Sequence, residues 1–147
     1  MNPPDNASLP DLATIRRFGS ANASAHLEIE ITRYDAEGME LTMPITDKAR
    51  QPLGLWHGGM SLVLAESAAS MHACWGVDLS KVAPVGIEIN GSHLRSARDG
   101  TVRATARVIR RGRSIIVHEV EIHHVETGNL LCVSRVTNFY NAVRTAA

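Results

Sequence analysis

The segment Gln51-Pro-Leu-Gly-Leu-Trp-His-Gly-Gly59 leads directly into a long apolar run from Met60 to Trp75. That run is too long for a strand and is apolar on almost every side, which predicts a helix enclosed by other elements. It contains one acid, Glu66, and a carboxylate in apolar surroundings is costly unless it is paired or protonated. We therefore expect Glu66 to have a chemical role.

Strand patterns surround this helix in the sequence. Alternating apolar residues from Leu27 to Ile45 predict a hairpin that turns at Asp35 to Gly38. Four further strands are expected after the helix, at residues 83–89, 101–109, 114–124 and 130–140. Asn90-Gly91 normally marks a tight hairpin, but we expect one strand to continue through it with a glycine bulge.

With a short helix after Ser8, the predicted order is α-β-β-α-β-β-β-β. This order favours an α+β hot-dog fold, in which a curved antiparallel sheet wraps around one long central helix and a short N-terminal helix opens the chain. Such a sheet leaves an edge and an apolar face that a second subunit would cover. We expect one domain at residues 8–140 between loosely held tails at 1–7 and 141–147.

The composition favours a cytoplasmic protein without nucleic-acid or membrane partners. The 147 residues include 15 basic and 15 acidic side chains, so no net charge attracts nucleic acid or an anionic membrane. The two cysteines, Cys74 and Cys132, lie in apolar runs, which suits buried thiols in a reducing compartment. No run is long enough to span a membrane, and the first residues lack the basic and apolar regions of a secretion signal, so we expect a protein that is not exported.

The opening segment and the helix up to Ser70 resemble the hot-dog acyl-CoA thioesterases. The resemblance is to the phenylacetate-pathway, 4-hydroxybenzoyl-CoA and 1,4-dihydroxy-2-naphthoyl-CoA types. Val85-Gly-Ile-Glu-Ile-Asn90 and Ser92-His-Leu-Arg95 extend it, so that it covers residues 41–139. It implies hydrolysis of acyl-CoA, with an aromatic acyl group favoured, without a cofactor or a metal. It also implies a homo-oligomer, with a dimer of dimers, a homotetramer, as the expected assembly.

The resemblance assigns catalytic roles to five residues. Gln51 matches the glutamine that orients the attacking water or the substrate, and His57 with Gly58 matches the pair that polarises the thioester carbonyl. Glu66 matches the carboxylate that acts as nucleophile or general base, and Ser70 matches a supporting hydroxyl. A backbone N–H at a helix N-terminus suits the carbonyl because negative charge develops there during attack.

Candidate contacts to the substrate are less specific. Trp56 is a candidate floor of the acyl pocket or a packing residue under the helix start, and Gly59 lets the chain turn into the helix. The phosphates of CoA need charge-assisted donors. The candidates for them are Ser92, His93, Arg95, Ser96, Arg111, Arg113 and Ser114.

The spacing of Gly58 and Glu66 predicts a site that two subunits share. The two residues are eight positions apart, which is about 12 Å along a helix and too far for one side chain to bridge. We therefore expect Gln51, His57 and Gly58 of one subunit to face Glu66 and Ser70 of the other across a two-fold interface.

Two other functions and a metal site are weaker interpretations. A non-catalytic acyl-CoA-binding module has no need of a desolvated acid such as Glu66. An enoyl-CoA hydratase would need an Asp/His or His/Glu pair near the end of the helix, and the candidate histidine, His72, lies six positions from Glu66 on a different face. The run His118-Glu-Val-Glu-Ile-His-His124 misses the HExxH spacing by one residue. We expect a solvent-facing strand surface there.

Overall fold

The computed structural model describes residues 12–18 and 21–143. Its helices are α1 (Leu12–Phe18), α2 (Ala23–His26) and α3 (Gly58–His72), and a short 3-10 turn covers Asp47–Ala49. Its strands are β1 (Glu30–Tyr34), β2 (Gly38–Pro44), β3 (Val82–His93), β4 (Thr101–Arg111), β5 (Ile115–His124) and β6 (Leu130–Ala142). These described strands form one antiparallel sheet in the order β1-β2-β4-β5-β6-β3. None of the described helices is long and apolar enough to cross a membrane.

Helix α3 is the centre of the core, as the apolar run predicted. It packs against strands β2 to β6. Its fully buried residues are mainly small, and they allow the helix backbone to approach the sheet closely; they include Leu64, Ala65, Ala68 and Ala69. Buried side chains of the sheet complete the core; they include Met39, Leu41, Val102, Ala104, Val120 and Ile122. The predicted α+β hot-dog architecture is confirmed.

The helix begins earlier than the apolar pattern indicated, because His57 caps it. The Gly59 N–H donates to His57 Nδ1 at 2.9 Å, which satisfies one of the backbone donors at the helix start. Just before the cap, the Trp56 indole N–H donates to Ser61 Oγ at 2.8 Å in a buried contact. The segment that precedes α3 is therefore tied to its first turn by two side chains.

Strand β3 continues through Asn90-Gly91, as expected, but its irregularity lies elsewhere. The register with β6 shifts between Gly86 and Glu88. Gly91 is needed for a different reason: a Cβ there would lie 2.6 Å from Leu62 Cδ2 of α3. The glycine therefore reflects the close approach of helix and strand.

Two boundaries differ from the sequence expectation. Residues 23–26 form α2, capped by Asn22, whose side chain accepts the Ser24 N–H, so the first strand begins at Glu30 and not at Leu27. Strand β6 ends at Ala142, two residues beyond the expected end of the domain. The predicted tail at 1–7 and the last four residues lie outside the described residues.

The expectation of a solvent-facing surface on β5 is wrong for His118 and His124. The predicted alternation is present, but these histidines share the inner face with Ile116, Val120 and Ile122, and His118 is fully buried. The reason is a polar partner inside the core, since His118 Nε2 lies 2.8 Å from His72 Nδ1. Alternation identifies the two faces of a strand without showing which one is buried.

Candidate active site

One group of predicted site residues gathers at the start of α3. Gln51, Trp56, Gly58 and His93 line one cavity of about 420 Å³, together with Ser61, Arg95 and Ser96. A Cβ on Gly58 would lie 2.9 Å from His93 Nε2, so a glycine there lets the imidazole approach the helix start. We call Gln51, Trp56, His57, Gly58 and His93 the Gly58 group.

Among the described residues, the hydrogen bonds of the Gly58 group leave three donors available, on His57, Gln51 and Gly58. His57 Nδ1 accepts the Gly59 N–H, so the ring carries its proton on Nε2. Gln51 Oε1 accepts the Leu53 N–H, and the amide NH₂ of Gln51 stays available to donate. The Gly58 N–H donates to none of the described residues outside its helix, as expected for the first turn.

A second group lies farther along α3. Ser70 Oγ donates to Glu66 Oε1 at 3.0 Å, one helical turn away. The side-chain amide of Asn138 on β6 donates to Ser70 Oγ at 2.8 Å. Gly86 of β3 lies so close that a Cβ on it would overlap Glu66 Oε1. We call Glu66, Ser70, Gly86 and Asn138 the Glu66 group.

Sequence reasoning missed Asn138. Its signal was an amide at a core-facing position of a strand, two residues after the buried Val136. A lone buried amide needs a polar partner, but the sequence does not indicate that the partner is Ser70, 68 residues earlier in the chain.

The structure does not bring the two groups together within one chain. Glu66 lies eight residues after Gly58 in the same helix, about 12 Å along its axis. The two residues also contact different parts of β3, since Gly58 lies against His93 and Glu66 lies against Gly86.

Comparison with known proteins gives the family. Residues 53–131 match the family described as Thioesterase superfamily. The chain belongs to the thioesterase superfamily. The 1,4-dihydroxy-2-naphthoyl-CoA hydrolase of Escherichia coli is 38% identical over 126 residues, which cover 86% of this chain and 91% of that protein. The protein of the same name from Listeria monocytogenes is 42% identical over 109 residues, or 74% and 87% of the two chains.

A solved structure agrees with this assignment. The crystal structure of a mutant thioesterase from Pseudomonas aeruginosa is 35% identical and matches with a TM-score of 0.86, covering 91% of this chain and 96% of that one. The resemblance inferred from the sequence is confirmed, and the protein is a thioester hydrolase. The matched family range includes His57, Gly58, Glu66 and Ser70. It therefore contains members of both the Gly58 group and the Glu66 group.

The candidate phosphate contacts of the thioesterase lie at opposite ends of the sheet. Ser92, His93 and Arg95 are exposed near the end of β3, where His93 pairs with Cys132 of β6. Arg113 and Ser114 precede Ile115, which pairs with Phe139 of β6. Cys132 and Phe139 are seven residues apart, about 23 Å along a strand. Arg111 is held by the Trp75 carbonyl and the Tyr140 hydroxyl, at 3.1 and 2.8 Å.

An apolar cavity lies beside Ser70. It has a volume of about 230 Å³ and is otherwise lined by Ile15, Met71, Cys74 and Leu79. Helix α1 supplies Ile15 and is anchored to β1 because the Arg16 guanidinium donates twice to the Ile31 carbonyl. Burial raises the pKa of the Cys74 thiol, so the cavity has an uncharged lining at neutral pH. A larger groove of about 580 Å³ between α1, α2 and β1 holds none of the predicted site residues.

The core histidines His72 and His118 are hydrogen-bonded to each other, and His118 Nδ1 has no partner among the described residues. His72 Nε2 lies 2.9 Å from the Asp35 carbonyl oxygen, which can only accept, so His72 carries its proton on Nε2 and accepts at Nδ1 from His118. His72 therefore does not point toward Glu66 as the hydratase interpretation requires. Within residues 12–18 and 21–143, no group of three or more His, Cys, Asp or Glu side chains could hold a metal ion.

Proposed function

We propose that this thioesterase hydrolyses acyl-CoA thioesters, with an aromatic acyl group preferred, at a site shared by two subunits. The observation that carries the proposal is the separation of two complementary groups. The Gly58 group offers hydrogen-bond donors at a helix start, and the Glu66 group offers a carboxylate. Two relatives are named 1,4-dihydroxy-2-naphthoyl-CoA hydrolases, which supports an aryl-CoA substrate.

The free edge of the sheet supports the shared site. Strand β3 is the last strand of the described sheet, and its side chains Val85 and Ile87 are 42% and 58% exposed although they are apolar. An exposed apolar edge strand favours pairing with a second chain. In a two-fold dimer, the Gly58 group of one subunit then faces the Glu66 group of the other, twice. Two such dimers form the tetramer that we expect.

The chemistry follows from the donors and the carboxylate. The thioester carbonyl oxygen accepts the Gly58 N–H, so that the charge of the tetrahedral species forms against a helix start. Attack by Glu66 on the carbonyl carbon breaks the C–S bond, releases CoA thiolate and leaves a mixed anhydride, which water hydrolyses. Alternatively, Glu66 takes a proton from a water that attacks directly. Single turnover in ¹⁸O-water separates the routes, because only the anhydride route can label Glu66.

The two cavities support an orientation for the substrate. The apolar lining beside Ser70, with Cys74 and Met71, suits an uncharged acyl ring. The cavity of the Gly58 group, with Arg95 and Ser96, suits the polar CoA arm, for which Ser92 and Gly59 are further candidates. Trp56 lines this cavity and not the apolar one, which favours its packing role under the helix start. Arg113 and Ser114 would reach the same CoA only from another subunit. The free thiols Cys74 and Cys132 support a reducing, cytoplasmic setting.

A panel assay tests the proposed function. Free thiol is measured with benzoyl-, naphthoyl-, phenylacetyl- and fatty acyl-CoAs, and binding is measured in parallel by calorimetry. We expect thiol release with the highest kcat/KM for an aryl-CoA. Binding of acyl-CoA without thiol release would favour the non-catalytic module, and equal rates for all acyl groups would remove the aromatic preference.

A further inference from the structure

Asn138 is a buried amide whose only described partner belongs to the Glu66 group. Its side chain is fully buried on β6, next to Gly86 in the register of β3 and β6. The amide nitrogen donates to Ser70 Oγ at 2.8 Å, and Ser70 Oγ donates to Glu66 Oε1 at 3.0 Å. The three side chains form one hydrogen-bonded chain that ends on the carboxylate.

The Asn138 amide determines which atom donates in each of these hydrogen bonds. An amide nitrogen can only donate, so Ser70 Oγ accepts from Asn138 and has its single proton left for Glu66. If the amide were reversed, Asn138 Oδ1 would take that proton and Glu66 would lose its donor. Asn138 Oδ1 itself is buried without a partner among the described residues. An apolar side chain would avoid this cost, so packing alone does not account for an amide at this position.

The surroundings of Glu66 distinguish its two oxygens. Oε1 accepts the Ser70 proton and lies against Gly86, where any Cβ would collide with it. The register of β3 shifts immediately after Gly86, as strands often do beside functional sites. Oε2 accepts no hydrogen bond from the described residues and lies farther from the Gly86 position.

We propose that Asn138 is a positioning residue that, through Ser70, holds Glu66 Oε1 and leaves Oε2 as the oxygen that reacts. The inference rests on the proposed function, because it concerns the orientation of the carboxylate during thioester hydrolysis. Asn138 does not touch the substrate. It acts by limiting Glu66 to one orientation, which a preorganised site requires.

A double-mutant cycle tests the hydrogen-bonded series from Asn138 through Ser70 to Glu66. Asn138→Leu keeps the approximate volume and removes the donor, and we expect kcat to fall about 10- to 50-fold with KM nearly unchanged. Ser70→Ala should give a similar loss, and Asn138→Leu added to Ser70→Ala should cause no further loss, because Asn138 acts only through Ser70. Independent, multiplying losses would overturn the proposal.

A matched control separates positioning from stability. Ser134 is a buried polar residue of the same strand, and its hydroxyl donates to the Asn90 carbonyl at 2.6 Å, away from the Glu66 group. Ser134→Ala should lower Tm without a selective loss of kcat. Asn138→Asp is nearly isosteric but can only accept when ionised, so it should lose as much kcat as Asn138→Leu. Because a protonated Asp could still donate to Ser70, the decisive measurement is kcat of the Asp variant at a pH high enough to ionise that carboxyl. Wild-type kcat there would show that shape alone matters and would overturn the proposal.

Crystal structures test the orientation of Glu66 independently of any activity measurement. In the wild type, Ser70 Oγ should lie within hydrogen-bonding distance of both Glu66 and Asn138, and in Asn138→Leu the Glu66 carboxylate should occupy more than one orientation. If Asn138→Leu does not fold, Asn138→Ala removes the same donor. A wild-type structure without both hydrogen bonds overturns the proposal. Absence of thiol release by the wild type, with the hydrogen bonds intact, would instead reject the proposed function.

Discussion

Two polar clusters join α3 to the sheet, and they differ in burial and in which atoms lack a hydrogen-bond partner. His72 and His118 are fully buried; His72 has a partner at both ring nitrogens, whereas His118 Nδ1 has none among the described residues. Glu66 is half-buried and keeps Oε2 free beside an edge strand. Full burial and the hydrogen bond between the two rings make the histidines part of the core. Glu66 Oε2 has no hydrogen-bond partner among the described residues, as the proposed reaction requires.

The largest expected effect on kcat comes from substituting Glu66, with a substitution in the histidine cluster as the comparison. Glu66→Gln keeps the shape and an oxygen that accepts from Ser70, but removes the base or nucleophile. We expect kcat to fall by about 100- to 10,000-fold. His118→Leu should lower Tm and leave kcat at neutral pH within about twofold. A larger kcat loss in the histidine variant than in Glu66→Gln would reverse the comparison.

Acid should unfold the protein through the histidine cluster. Burial lowers the pKa of His72 to about 4 and that of His118 to about 3, whereas the unfolded imidazoles titrate near pH 6.5. Below that pH the unfolded state binds more protons than the folded state. The free energy of unfolding is therefore highest above pH 6.5, and it declines as the pH falls toward the folded pKa values.

The loss is about 1.4 kcal/mol per pH unit for each imidazole. Denaturant unfolding between pH 7 and 5 measures it, with an expected decrease of roughly 4 kcal/mol at pH 5 for the pair. In His118→Leu the slope should be about half as steep. A stability that is flat over this range would show that the histidines are not buried as described.

Mixing two inactive variants should restore part of the wild-type activity, because subunits of a mixed dimer complement each other. Glu66→Ala and Gly58→Val each remove one group, and a mixed dimer holds one intact site and one doubly impaired site. With random mixing, half of the dimers are mixed, so we expect about a quarter of the wild-type activity. The measurement is thiol release after co-refolding the two variants. Activity no higher than that of the separate variants would place each site within one chain.

The smallest effect concerns the acyl cavity. Cys74→Phe should fill the space beside Ser70 and raise KM for naphthoyl-CoA about tenfold, with little change for acetyl-CoA. Cys132→Ala, at the other free thiol, is the control. Equal changes for both substrates would show that the acyl group binds elsewhere.

Much of the candidate site could be proposed from the sequence because its residues lie close together in the chain. Gln51, His57, Gly58 and Glu66 fall within one segment, and helical geometry alone shows that Gly58 and Glu66 cannot meet in one chain. The long strand through Asn90-Gly91 was also predictable, whereas the shift of register beside Gly86 was not. Local patterns carry no information about which strand approaches which turn of a helix.

The sequence by itself determined the central helix, the order of the strands and the carboxylate within an apolar run, because each depends on periodicity or on residue chemistry over a few turns. Only the tertiary structure decided that His118 faces inward to His72 and that Asn138 reaches Ser70. Both contacts join residues far apart in the chain. The physical reason is that a buried polar atom needs a partner, and the packing of the sheet on α3 selects that partner.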